Sequence, residues 1–330
     1  MITILQPGLF STVQDIGRIG YQKFSVPVSG AVDLDAHRMA NLLVGNDEHF
    51  ATIEMTVQAA EMKFEQDRVI AIFGEGPNLS LNGKHLPKGK PIFLPKDSTV
   101  KHAATGSGAR TYLAVAGGID VPVIMDSRST YTRAAIGGFE GRRLAKGDQI
   151  GVGEMTLTQR SILTFLKEKD NVSWFVPTQF FDSNVSNGTI QMIKSEQFNT
   201  FTKESQEAVF NRFFTVTSQS DRMGYRLDGV ELKQIKAKNE ISSAVPFGTI
   251  QVPPDGNPIL LAADRQTTGG YPVIGYTASV DRHKLAQLKP GDQIHFELVD
   301  IGEAQQQFAT KEEAMRHVKA GIKLQLKGMN

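Results

Sequence analysis

The 330-residue chain contains no cysteine and a single tryptophan. Without cysteine, disulfide staples, thiolate metal sites and cysteine nucleophiles are excluded. No run of residues approaches the ~18 apolar positions a membrane-spanning helix needs. The opening Met1-Ile-Thr-Ile-Leu-Gln-Pro-Gly8 lacks the basic segment and apolar core of a secretory leader. Excess charge is missing too. Lys+Arg number 36 against 35 Asp+Glu, a net charge of +1, which argues against nucleic-acid or membrane-surface partners. The expectation is a cytoplasmic globular protein. Several chemical signatures are also absent: the Gly-x-x-x-x-Gly-Lys-Ser/Thr phosphate loop, the Gly-x-Gly-x-x-Gly dinucleotide turn and the Gly-x-Ser-x-Gly elbow. The seven histidines are scattered without metal-ligand spacing, so no metal is expected. A self-sufficient ATPase, dehydrogenase or metalloenzyme does not fit this chain.

What is present is mostly β-structure broken by glycine and proline. Ile2–Leu5, Val69–Phe73, Pro91–Leu94, Thr99–Ala103 and Thr111–Ala116 read as short strands, and Asn82-Gly83 as a type I′ hairpin turn. Asp33 reads as the N-cap of a helix over Leu34–Val44 that Gly45 terminates. A second helix is expected over Lys203–Asn211. A third is expected over Lys311–Ala320, with Thr310 and Glu313 as its capping box. Residues 155–190 read as a connection.

Two echoes point to internal duplication. Arg18-Ile-Gly-Tyr21 returns as Arg222-Met-Gly-Tyr225, and Leu144-Ala-Lys-Gly-Asp-Gln-Ile150 returns as Leu288-Lys-Pro-Gly-Asp-Gln-Ile294. The offsets differ by 60 residues, so the first half carries extra material. The predicted organisation is a first β-domain at 1–155, a connection at 156–188, and a second β-domain with the C-terminal helix at 189–330. The first ~50 residues could pack with either domain.

Polar residues concentrate on three sets of turns. The first holds Gln14, Asp15, Arg18, Ser29 and Asp33. The second holds Arg128, Ser129, Thr130, Tyr131, Glu140 and Arg142. The third holds Asp221, Arg222, Tyr225, Gln251, Asp264, Arg265, Gln266, Thr268 and Tyr271. Arginine forks match carboxylates, aspartate accepts an amide N–H, and neighbouring glycines admit a ligand. These types suit a small substrate carrying a carboxylate and an amide. A turn-closing ion pair is the competing reading for each Asp–Arg neighbour. The expected site is a pocket between the two domains. Arg222 or Arg128 would hold a carboxylate there, Asp264 would accept an amide N–H, and Gln251 would donate to its carbonyl. Arg128, Ser129, Thr130, Tyr131, Arg142, Asp221, Arg222, Tyr225, Gln266, Thr268 and Tyr271 would bind substrate around the reacting pair Asp264 and Gln251.

Several motifs carry a resemblance. They include Gln14-Asp-Ile-Gly-Arg18, Val26-Pro-Val-Ser-Gly-Ala-Val-Asp33, Ser127-Arg-Ser-Thr-Tyr131 and Gly137-Gly-Phe-Glu-Gly-Arg142. Ser220-Asp-Arg-Met-Gly-Tyr-Arg-Leu227, Phe247-Gly-Thr-Ile-Gln-Val-Pro-Pro-Asp-Gly256 and Ala263-Asp-Arg-Gln-Thr-Thr-Gly-Gly-Tyr-Pro272 complete it. Through them the chain resembles the family called allophanate hydrolase subunit 2, or biotin-dependent carboxyltransferase-like. It is most similar to the family's branch of bacterial ATP-dependent 5-oxoprolinase C subunits. Val32 and Ser25 depart from the family pattern, which often has methionine and glycine there. The resemblance implies two tandem cyclophilin-like β-barrel domains with a few short helices. It implies partner subunits of types B and A, ATP use by the complex, and opening of 5-oxo-L-proline to L-glutamate. The isolated chain is then expected to be inactive. Two other functions compete. One is the carboxyltransferase half of a biotin-dependent carboxylase acting on a urea-like amide. The other is a regulator that antagonises a B-like kinase inhibitor, to which the many polar loop residues are less suited.

Overall fold

The computed structural model describes residues 1–169, 171–178, 180, 188–236 and 241–329. The chain is mainly β and divides into two compact units. The first comprises Met1–Arg18, Ser29–Phe181 and Glu313–Asn330, and the second Ile19–Val28 and Asp182–Glu312. Of the first 50 residues, only Ile19–Val28 belongs to the second unit.

The first unit carries strands β1 (Ile2–Gln6), β2 (Phe10–Gln14), β3 (Thr52–Thr56), β4 (Glu61–Phe64), β5 (Arg68–Phe73) and β6 (Asn78–Leu81). They are followed by β7 (Lys84–His85), β8 (Pro91–Leu94), β9 (Thr99–Ala104), β10 (Arg110–Val115), β11 (Ile119–Asp120) and β12 (Gln149–Val152). They form a seven-stranded sheet, β11-β12-β1-β4-β9-β6-β7, and a five-stranded one, β2-β3-β10-β5-β8. Strand β5 is apolar after Arg68 because its sheet is covered on both faces. Ile70 and Ile72 join Ile2, Ile4, Met62 and Phe64 in a cluster fed by both sheets. Val69, Ala71 and Phe73 point the other way, into a cluster with residues of three helices. These helices are α1 (Leu34–Leu43), α2 (Leu157–Lys169) and part of the C-terminal helix described below.

Helix α1 begins and ends as its caps dictate. The Asp33 carboxylate accepts the Ala36 N–H at 3.0 Å. At the other end the Gly45 N–H reaches Leu42 O and the Asn46 N–H reaches Asn41 O, both at 3.0 Å. This Schellman closure uses the left-handed Gly45, φ 72°. The Asn82-Gly83 turn has both residues at positive φ, 52° and 79°, as a type I′ turn requires. Where the sequence read as a connection, Leu157–Lys169 is helical because Ile162 and Leu166 bury one face. Thr156 and Gln159 bond reciprocally across its first turn, at 2.9 and 3.2 Å, as a capping box.

The second unit contains strands β13 (Thr189–Lys194), β14 (Phe214–Val216), β15 (Gly224–Asp228), β16 (Ser243–Ala244) and β17 (Thr249–Gln251). Strands β18 (Ile259–Leu261), β19 (Thr268–Gly269), β20 (Val273–Thr277) and β21 (Gln293–Leu298) follow. Seven of them close into a barrel, β13-β20-β17-β18-β15-β14-β21, with β21 and β13 pairing in parallel. Closure leaves the barrel no free edge. Its interior holds Ile190, Met192, Phe214, Leu227, Ile250, Leu260, Ile294 and Phe296. Strands β16 and β19 form a separate two-stranded ribbon. Helices α3 (Lys203–Asn211) and α4 (Arg282–Gln287) accompany the barrel.

Helix α5 spans Ile301–Lys327, not the shorter stretch expected from Lys311. Asp300 bonds the Gly302 N–H at 2.8 Å at its start, so Thr310 lies inside the helix and caps nothing. From Glu313 onward the helix belongs to the first unit, not the second as expected. Met315, Ile322 and Leu326 are buried in the α1–α2 cluster.

The Gly-Asp echo is one turn built twice. In the first unit Asp148 accepts the Ala145 N–H at 2.7 Å, and the Gly147 N–H reaches Ile4 O at 2.8 Å. In the second Asp292 accepts the Lys289 N–H at 2.8 Å, and the Gly291 N–H reaches Val216 O at 2.8 Å. Both glycines are left-handed, at φ 92° and 94°. The Arg-x-Gly-Tyr echo has diverged. Gly224 and Tyr225 start a barrel strand, whereas Tyr21 precedes a short 3-10 turn at Gln22–Phe24.

Candidate functional sites in the two units

In the first unit the Ser127–Tyr131 loop is stitched to the Gln14–Arg18 turn. The Asp15 carboxylate accepts from Ser127 Oγ at 2.7 Å, from Ser129 Oγ, from the Arg128 N–H and from the Gly17 N–H at 2.8 Å. Four donors converge on this buried carboxylate and fix the loop. Arg18, fully buried, donates to the carbonyls of Ile124 and Ser129. Thr130 Oγ1 bonds Val13 O at 2.9 Å, and Gln14 Nε2 bonds Thr130 O at 3.2 Å. Gly137 is required here. A Cβ on it would lie 2.3 Å from Ser129 O and 2.4 Å from Arg18 Nη2. Arg128 and Tyr131 are half-buried, and Arg128 Nε donates to Val121 O at 3.1 Å. Arg142 closes a fork on Asp148, at 2.8 and 2.9 Å, and also bonds Glu140. These carboxylates raise the Arg142 pKa and the pair braces the Gly-Asp turn.

A second buried network sits on the same unit. Glu54 Oε2 accepts from Tyr112 Oη at 2.6 Å and from the Val32 N–H at 3.0 Å, while Tyr112 Oη accepts the Asp33 N–H at 2.8 Å. Burial, with the Glu54 charge beside it, holds the Tyr112 phenol protonated. His37 is fully buried, and burial lowers its pKa to about 4. Its Nε2–H faces Glu48 O at 3.1 Å and its Nδ1 faces Thr52 Oγ1 at 2.9 Å, which suits the neutral ring. Glu54 was missed by sequence reasoning. An acidic residue inside the otherwise apolar Ile53–Met55 stretch was the available signal.

In the second unit Arg222 and Asp264 bond each other. Arg222 Nε and Nη2 meet the two carboxylate oxygens at 2.8 and 3.0 Å, and the residues are 6% and 4% exposed. The Asp264 N–H also reaches Arg222 O at 2.8 Å. Gln251, 1% exposed, packs its amide against Gly269, where an added Cβ would lie 2.4 Å from Nε2. Asp221 is exposed and accepts the Met223 N–H at 2.7 Å. Tyr225 is 2% exposed and is part of the barrel's apolar cluster. Thr268 and Tyr271 are exposed around the β16–β19 ribbon, and Gln266 lies on the turn leading into it. Beside the ion pair stand Arg265, bonded to Val245 O at 2.9 Å and Ala262 O at 3.2 Å, and Arg282, stacked 4.4 Å over Phe247. Burial and the neighbouring Arg282 lower the Arg265 pKa to about 10. A polar groove elsewhere on the barrel, of about 210 Å³, runs past Thr217, Arg226, Asp228, Asp255 and Asn257. None of the expected site residues lines it.

Among the described residues, no group of three or more His, Asp or Glu is placed to hold a metal ion, and no helix is long and apolar enough to cross a membrane. A closed seven-stranded β-barrel in one unit and a two-sheet β-structure in the other define a mainly β protein of two units. Residues 24–298 match the family model described as carboxyltransferase domain, subdomain A and B, and the chain belongs to that family. It is 36% identical to the 5-oxoprolinase C subunit of Escherichia coli and 34% identical to that of Haemophilus influenzae. Each alignment covers 92% of this chain and 93% of the relative. It is 30% identical to urea amidolyase of Saccharomyces cerevisiae over 89% of the chain but 16% of that protein. Among solved structures, urea amidolyase of K. lactis superposes with a TM-score of 0.82 at 27% identity, covering 95% of this chain and 19% of that one. The protein TTHA0988 gives 0.76 at 29% identity, covering 90% and 55%.

Proposed function

We propose that the chain is the C subunit of a multi-subunit, ATP-dependent 5-oxoprolinase that opens 5-oxo-L-proline to L-glutamate. One observation carries this reading: the C subunits of both bacteria align with the chain almost end to end, in both directions. The loop chemistry is compatible. A lactam bearing a carboxylate needs a cation for the carboxylate and donor–acceptor pairs for the ring amide, and the barrel's Arg222–Asp264–Arg265 and Gln251 groups are of those types.

In this reading ATP is held by a partner subunit. The sequence has no phosphate loop, and helices α1, α3 and α5 carry an acidic residue in their first turn. A carboxylate there opposes phosphate at a helix N-terminus. Bound ATP would supply the driving force for ring opening. This chain's side chains would bind and orient the lactam. Subunits of types A and B are the proposed partners and the cytoplasm the proposed compartment.

The test is reconstitution. The chain mixed with A- and B-type subunits should give 5-oxoproline-dependent ATP hydrolysis with glutamate release, and any single subunit should not. Turnover by the isolated chain that survives a second chromatographic step would refute the division of labour.

A second reading, the carboxyltransferase part of a urea-type carboxylase with biotin as cofactor, is favoured by the superposition on urea amidolyase. A ureido ring presents an N–H and a C=O on one edge, and the Gln251 carboxamide offers the matching acceptor and donor. Its nitrogen already faces Tyr271 O at 3.5 Å. Biotin-dependent carboxylation of urea by a reconstituted complex would select this reading instead.

A further inference from the structure

We propose that Arg265, with Arg282 beside it, is the seat for the substrate's carboxylate. The proposal rests on the 5-oxoprolinase reading and places the anion on Arg265 instead of Arg222 or Arg128, the two arginines expected from the sequence to hold it. The Arg222 fork is already closed on Asp264, nitrogen for oxygen, in a nearly fully buried pair. Asp264 is therefore the counterion of Arg222, and Arg265 is left without a carboxylate of its own among the described residues. Two backbone carbonyls, Val245 O and Ala262 O, take one Nε–H and one Nη1–H of Arg265. Its other N–H groups meet no acceptor among the described residues. The half-buried side chain thus presents the outer edge of its fork, oriented from behind by neutral oxygens.

The charge acting on Arg265 comes from Arg282, which repels it, and Asp264, which attracts it. Asp264 is shared with Arg222, so Arg265 sits in a partly desolvated place beside a second arginine with no carboxylate committed to it alone among the described residues. Arg282 is held in position by the Phe247 ring at 4.4 Å. A planar oxyanion accepting from the open edge of Arg265 would relieve that repulsion and make charge-assisted bonds of the kind arginine forms with carboxylates. A neutral lactam without the carboxylate would gain nothing there.

The test uses the reconstituted complex and two ligands, 5-oxoproline and 2-pyrrolidinone, which lacks the carboxylate. Arg265→Gln is expected to raise the KM for 5-oxoproline about 10- to 100-fold with kcat within a few-fold. Arg265→Lys should recover part of that loss, and Arg282→Gln should give a smaller rise. A KM unchanged in Arg265→Gln, in a complex that turns over normally, would overturn the proposal. If Arg265→Gln fails to fold, as judged by circular dichroism, Arg265→Lys and Arg282→Gln carry the same comparison. If the wild-type complex shows no 5-oxoproline turnover, the functional reading fails separately. The seat is then judged by calorimetry on the chain itself. Binding of 5-oxoproline but not 2-pyrrolidinone, lost in the Arg265 variants, supports it, and equal binding of both or of neither overturns it.

Discussion

Replacing Asp264 with alanine is expected to destabilise the barrel by about 3–5 kcal/mol, because it strips a buried guanidinium of its counterion. The carboxylate receives two parallel bonds from Arg222 at 2.8 and 3.0 Å. Charge-assisted bonds contribute about 1.5–3 kcal/mol each, and the desolvated cation left behind adds to the loss. Removing both charges together, as Arg222→Met with Asp264→Leu, should recover most of it, since apolar pairs of similar volume often replace buried ion pairs without loss. A double-mutant cycle should therefore give a coupling of about 2 kcal/mol or more. The assay must follow the barrel itself. Trp174, the only tryptophan, packs against the first unit's helical cluster, so its fluorescence reports the wrong core. Hydrogen exchange of amides in β15 and β18 is the suitable probe. A destabilisation below about 1 kcal/mol, or a coupling near zero, would refute the reasoning. Reconstituted complexes with full activity from a folded Asp264→Ala chain would remove the residue from the site altogether.

Trp174 is well suited to a second experiment. Leu326→Ala should cost the first unit about 2–5 kcal/mol, seen as a lower denaturant midpoint of tryptophan fluorescence, while barrel amide exchange should not change. Gly137→Ala should abolish soluble folding of the first unit, since the added Cβ would overlap Ser129 O at 2.3 Å from a residue at φ 65°; normal expression and melting would contradict the close approach. His37 gives a pH dependence. Its folded pKa of about 4 lies below the unfolded value of 6.5, so the unfolded chain binds the extra proton first. Stability is fully present above pH ~6.5 and falls by roughly 3 kcal/mol as pH drops to ~4. His37→Asn should flatten that slope in denaturation curves, and an unchanged slope would show that other groups cause it. The turnover test of the isolated chain completes the set: no 5-oxoproline-dependent ATP hydrolysis is expected without partner subunits.

The legible features were those set by neighbouring residues. Asp33, Gly45 and Asn82-Gly83 act on backbone groups within a few positions, and each does in space what its type dictates. The Gly-Asp turns were legible for the same reason. The α2 helix was also written locally, in Thr156-Leu-Thr-Gln159, but a segment without strong amphipathic pattern hid it. Tyr225 could have been placed from alternation alone, since Tyr225 and Leu227 face the core while Arg226 faces solvent. The Arg222–Asp264 pair joins residues 42 positions apart, and no local signal says which carboxylate an arginine will meet. The sequence showed that charges gather on these turns. Which of them neutralise one another, and which are left for a ligand, is a property of barrel closure.

The division of the chain into five segments over two units has a consequence for how the molecule is made. The first unit takes residues from both extremes of the chain, Met1–Arg18 and Glu313–Asn330. Met315, Ile322 and Leu326 are buried in the same cluster as Met39, Leu43 and Phe73. During synthesis the barrel's own strands, all between residues 189 and 298, are therefore complete before the first unit can finish its helix-side cluster, whereas the core between its two sheets needs only residues up to Ile150. The half that is translated first matures last, and until then its helix-side cluster, already joined by α1 and α2, lacks the apolar side chains of α5. Vulnerability to aggregation or proteolysis during biogenesis should accordingly concentrate in the first unit. Deleting the last turns of α5 should leave a folded barrel attached to an unfinished partner.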